Sequence, residues 1–209
     1  MRVELYLQPD SAQPAAEIPW RSADGTSEFF DLRDDPRLIA KIEPARQHAP
    51  LRNFLVAVNE PDSLFFTAWC KTRSEDDASP EQEQRRASES GAQSQGHTFA
   101  TQVELAFALE ALNRTPEHFA EVARQLSELL AREAGADSLA AQISLRNCRY
   151  TAAGHQGFLL RIELRASGAT SEQAELRCGL GLARVQQALL FTSRTLRQKL
   201  GGGEPGAGS

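Results

Sequence analysis

The chain has 209 residues, 41% of them hydrophobic and 24% charged, with a formal net charge of −5. That length holds one decorated domain or two small ones and buries a core without covalent staples. No window approaches the roughly 18 apolar residues of a membrane span, and the opening MRVELYLQPD lacks the apolar stretch of an export signal, so the expected location is cytoplasmic.

Three cysteines, Cys70, Cys148 and Cys178, lie far apart in apolar patterns and read as buried, reduced thiols rather than a disulfide set or a metal site. Charge is uneven along the chain. Residues 141–200 carry +6 and the remainder −11, an asymmetry that marks either two complementary halves or an anion-binding surface.

Arg2–Gln8 alternates, with Val3, Leu5 and Leu7 on one face, and predicts a strand. Residues 9–28 read as loop, with Trp20 a hydrophobic plug beneath it. Asp34-Asp35-Pro36 predicts a helix start, because an Asp N-cap accepts free amides and Pro at the first position loses no hydrogen bond. Leu38, Ile39 and Ile42 form its short apolar face. Asn53–Val58 and Leu64–Trp69 are apolar, β-rich runs around the turn residues 59–63, and predict a hairpin.

Residues 73–97 contain no aliphatic residue larger than Ala and no aromatic, the composition of a disordered insertion; Arg85-Arg86-Ala87-Ser88 within it resembles a basophilic kinase site by chance-level spacing. Val103, Leu105, Phe107 and Leu109 predict a long strand. Thr115-Pro116-Glu117 opens a helix with Phe119, Val122, Leu126, Leu129 and Leu130 on one face, closed at Gly135. Ile143 with Leu145, and Phe158, Leu160, Ile162 with Leu164, define two strands joined by a turn at Ala152–Gln156.

A final helix is predicted from near Ser171 to Leu200. Cys178, Leu182, Val185, Leu189, Leu196 and Leu200 fill one stripe, while Leu180, Leu190 and Phe191 point elsewhere. A helix apolar on two sides needs cover on two sides. The second set is therefore the candidate interface, to be covered by a second copy or by the N-terminal strand. The predicted fold class is α+β, an antiparallel sheet packed by two or three helices with a long C-terminal helix. Residues 1–34 form an extension, 35–200 one domain interrupted at 73–97, and 201–209 a flexible tail.

From residue 35 onward, the order helix, three strands, helix, two strands, helix resembles the αβββαββα topology of the class I type III secretion chaperones. The resemblance is of element order, without a motif. It implies a homodimer that holds segments of another protein, and it brings no catalytic residue. Residues 1–34, the 73–97 interruption and the length of the last helix depart from the group.

No catalytic, metal or cofactor residue is assigned. Gly179-Leu180-Gly181 lacks the third glycine of a nucleotide loop and falls inside a helix, where close packing accounts for small residues. His48, His97, His118 and His155 share no ligand spacing. Arg146, Arg161 and Arg165 on the polar face of the last hairpin, with Tyr150 near its turn, form a candidate basic surface. One register sets Arg146 opposite Arg161; a two-residue shift sets it opposite Glu163. The expected function is a non-enzymatic protein-binding, adaptor or chaperone-like module acting as a dimer. The alternatives are nucleic-acid binding through residues 141–200 and an enzyme whose site is assembled only in space.

Overall fold

A computed structural model describes residues 1–9, 14–22, 25, 28–74, 96–132 and 138–201. Strands β1 (Arg2–Tyr6), β2 (Ala16–Ile18), β3 (Phe65–Ser74), β4 (His97–Phe107), β5 (Leu139–Tyr150) and β6 (His155–Gly168) form one sheet. The helices are α1 (Glu43–Gln47), α2 (Ala49–Val58), α3 (Pro116–Ala131) and α4 (Ser171–Gly201), with 3-10 turns at Pro36–Lys41 and Glu110–Arg114. The α+β class holds.

The sheet order is β1-β5-β6-β4-β3. The three pairings among β3 to β6 are antiparallel, as expected. The whole sheet is nevertheless mixed. β1 and β2 both pair parallel with β5, one against each half of it. The predicted loop 9–28 therefore contains a short strand, which three residues ahead of Pro19 were too few to announce by alternation.

Asn53–Val58 is not a strand. It is the second half of α2, and the residues two before and onward explain why. Pro50 sits in the first turn, and Leu51, Phe54, Leu55 and Val58 are buried at i, i+3, i+4 and i+7. Asn59 ends the helix. Its Nδ2 donates to Leu55 O at 2.7 Å and its Oδ1 accepts from Thr67 N at 3.0 Å, which ties the helix end to β3. From residue 36 the order is thus helical turns, α2, two strands, α3, two strands, α4.

Asp35 caps as predicted, its carboxylate accepting from Arg37 N at 3.1 Å, but the element it caps is a 3-10 helix. Thr115 precedes α3 without a side-chain cap bond. β4 ends at Phe107, leaving Leu109 51% exposed beyond it. Gly154 makes the β5–β6 turn at φ +71°, where a side chain would be strained. Arg73 and Ser74 of the predicted insertion 73–97 belong instead to β3, and His97 to β4. The insertion's residues 75–95, the predicted closure at Gly135 and the tail beyond Gly201 lie outside the described residues.

The helices cover one face of the sheet. α4 crosses β4 and β6, flanked by α2 on the β3 side and α3 on the β5 side. Cys178, Leu182, Val185 and Leu189 of α4 meet Val103, Leu105, Ile143, Leu160, Ile162 and Leu164 of the sheet in the main core. The approach is close. A Cβ on Gly179 would stand 2.8 Å from Pro50 Cγ, and one on Gly181 would stand 3.0 Å from Leu139 Cδ1. The glycine pair is packing, as read. On the other face, Ile18, Ala68, Ala106, Cys148, Tyr150 and Leu159 form a second, smaller core under the N-terminal segment.

Candidate functional site

Two exposed surfaces carry the residues singled out by the sequence: the outward side of α4 and the polar end of the open sheet face.

On α4, Leu180 is 56% and Phe191 60% exposed, and Leu190 is half-buried. Leu176, one turn before Leu180 on the same side and not singled out by the sequence, is 64% exposed. Its signal was the four-residue spacing to Leu180. β1, the intramolecular candidate for covering this side, lies instead at the β5 edge of the sheet. Leu196 of the inward stripe is partly buried.

Cross-strand register builds the open sheet face. Tyr6, Ser144, Arg161, Glu104 and Trp69 form one row across β1, β5, β6, β4 and β3, and Glu4, Gln142, Glu163, Gln102 and Lys71 the next. Neither register expected for the last hairpin occurs. Arg146 faces Leu159, and Arg161 faces Ser144. The repulsion between the two arginines is resolved from a third strand. Glu104 on β4, only 2% exposed, accepts from Arg146 Nη1 at 2.8 Å and from Arg161 Nε at 2.9 Å. Arg165 does not join them. It pairs with Glu163 at 2.8 Å, and Arg73 reaches the same carboxylate oxygen at 2.8 Å. Each carboxylate thus bridges two arginines. Tyr150 points away, into the second core, its hydroxyl donating to Phe158 O at 2.7 Å.

A groove of about 490 Å³ runs beside the edge strand β3. Trp20, Phe30, Ile42, Pro44 and Trp69 line it, with Glu28, Lys41 and Glu43 at its polar positions. Trp20 is half-buried rather than a sealed plug, and its indole donates to Ala68 O at 2.8 Å, capping the bulge between Thr67 and Trp69.

The histidines are engaged singly. His48 Nδ1 lies 2.7 Å from Glu175, and His155 Nε2 3.1 Å from Glu110. Among the described residues no group of three or more His, Cys, Asp or Glu is placed to hold a metal ion. Burial pushes the Cys70 and Cys148 thiols up to about 12 and Cys178 to about 11. No described helix is long and apolar enough to cross a membrane. Comparison with protein-family models, with curated proteins and with solved structures found no match.

Proposed function

We propose that this chain is a protein-binding module that pairs with a second copy of itself through α4 and holds a segment of another protein. The observed order, with one strand fewer before α3 than the chaperone topology, leaves the reading to rest on the surface of α4. The observation that carries the reading is the outward side of α4, where Leu176, Leu180 and Phe191 are each more than half exposed. Exposed apolar residues gathered along one side of a helix mark interaction sites.

The spacing favours a second copy. Leu176, Leu180, Ala183, Gln187, Leu190 and Arg194 recur at intervals of four and three, the seam of a helix pair. Two such helices laid antiparallel about residue 185 set Leu180 against Leu190 of the second copy. Ala183 then meets Gln187, and Leu176 lies along the stem of Arg194. The seam is complementary to itself, as a two-fold interface requires.

Light scattering at micromolar concentration tests this. The expected species is a dimer, turned into a folded monomer by Leu180→Glu in the seam. A wild-type monomer of 22.9 kDa ends the reading.

The open sheet face supports a second reading, nucleic-acid binding. Arg2, Lys71, Arg73, Arg146, Arg161 and Arg165 share it with three carboxylates, Glu4, Glu104 and Glu163. Binding of single-stranded nucleic acid that weakens steeply with salt would favour it over the first.

A further inference from the structure

Buried polar atoms are ordinarily paired, and each exception asks for a reason. Among the described residues three buried side-chain atoms have no partner: Arg33 Nε, Arg146 Nε and Thr192 Oγ1. Arg146 is engaged through Glu104. Arg33 differs: among the described residues no side chain or backbone group pairs with its guanidinium. The carboxylates flanking it in sequence are turned elsewhere. Asp31 Oδ1 accepts the Arg33 backbone amide at 2.9 Å, Asp35 holds Arg37 at 2.8 Å, and Asp34 is exposed. The Arg33 Nε is shielded from water while the residue as a whole is only part-buried, so the charge is left without a counter-ion among the described residues.

Arg33 lines a cavity of about 280 Å³ with Leu64, Ala108, Leu109 and Arg197. Arg197 enters from the last turns of α4. Its Nη2 rests on the carbonyls of Pro61 and Ser63 at 3.2 and 3.3 Å, and Asp62, 4.0 Å from its Nη1, is fully exposed. Two cations therefore line a cavity with no carboxylate in its wall, and every other lining residue is aliphatic.

We propose that this cavity binds a short-chain carboxylate, the oxyanion between Arg33 and Arg197 and the alkyl chain against Leu64, Ala108 and Leu109. The planar forks of two guanidinia suit a carboxylate. The aliphatic walls are what a bare inorganic anion would leave unused.

The probe is hexanoate, titrated into the full chain at low ionic strength and followed by calorimetry, with hexanamide as its neutral counterpart. Hexanoate is expected to bind saturably, and hexanamide and the Arg33→Gln protein roughly tenfold more weakly, the scale of a lost charge-assisted hydrogen bond. Arg33→Gln is also expected to keep or raise the melting temperature, since it removes an unpaired charge; an arginine serving only the fold would lower it. If that variant does not fold, Arg197→Gln and the hexanamide comparison carry the test. Equal binding of hexanoate and hexanamide, unchanged binding in the variants, or no saturable binding at millimolar concentration overturns the proposal.

Discussion

Arg146 Nη1 lies 2.8 Å from the nearly inaccessible carboxylate of Glu104, with Arg161 on the same oxygen. The pair keeps a buried carboxylate and two part-buried guanidinia compatible with the sheet. Breaking such a pair from one side leaves charge behind without compensation. Glu104→Ala is expected to cost about 3 kcal/mol, lowering Tm by roughly 6–12 °C for a chain of this size. Arg146→Ala should cost less, because Arg161 still holds the carboxylate. Thermal unfolding of both variants checks the order, and a Glu104→Ala protein melting with the wild type would contradict it.

Gly179 offers a test in which two effects oppose each other. Helix propensity alone favours Ala over Gly by about 1 kcal/mol. The added methyl would stand 2.8 Å from Pro50 Cγ, a rigid ring on the neighbouring helix, and overpacking of this kind costs about 1–3 kcal/mol. Gly179→Ala is therefore expected to be destabilising. Adding Pro50→Ala should recover part of the loss, so that denaturant titration of the double variant shows coupling between the sites. A stabilised single variant would mean that α2 and α4 separate freely.

The elements that were legible in the sequence are those whose pattern is local. β4, β6, α3 and α4 each repeat apolar residues at one period for ten residues or more, so side-chain direction and element type agree. Asn53–Val58 failed because Phe54, Leu55, Val56, Ala57 and Val58 form a continuous apolar run, which fits a buried strand and a buried helix equally. The deciding signal lay upstream, in Pro50 and Leu51. The arginine surface failed for a different reason. Arg146, Arg161 and Arg165 share the open face of the sheet. Glu163 lies two residues from Arg165 on the same strand. Glu104, the partner of Arg146 and Arg161, instead depends on registers between strands far apart in sequence and gave no sign of burial among its alternating neighbours. Leu180 and Phe191 were read as turned away from the core because helical geometry fixes that locally. Arg33 sits between elements, where no periodicity applies.

Asn113 replaces a backbone partner at the end of β4. Its Oδ1 accepts from Phe107 N at 2.8 Å and its Nδ2 donates to Phe107 O at 2.9 Å, with the residue 2% exposed. Asn113→Ala leaves a donor and an acceptor buried and unpaired, an expected loss of roughly 2–4 kcal/mol. Asn113→Asp is the sharper variant. An ionised carboxylate accepts from Phe107 N but cannot donate to Phe107 O, so this protein should also be destabilised. Chemical denaturation distinguishes the cases; an Asp variant as stable as wild type would show that the Phe107 carbonyl finds another donor.

The last prediction concerns alkaline pH. Cys70, Cys148 and Cys178 have thiol pKa values raised to about 12, 12 and 11, with burial the leading cause in each. A raised acid pKa means that the folded state holds the proton more tightly than the unfolded chain. Stability is then fully present below the unfolded thiol value near 8.5 and is lost as pH climbs from there toward 12. The protein is expected to weaken steadily above about pH 9. A triple Cys→Ala protein, lower in stability at neutral pH because of the volume it loses, should show a shallower decline. Cys148 and Cys178 are buried and protonated at pH 8, so a thiol reagent should reach them at the rate of global or local unfolding. Cys70, part-buried beside the groove, is slowed by its raised pKa alone. Parallel pH–stability curves for the wild type and the triple variant, or rapid labelling of the native protein at pH 8, would show that the thiols meet solvent in the folded state.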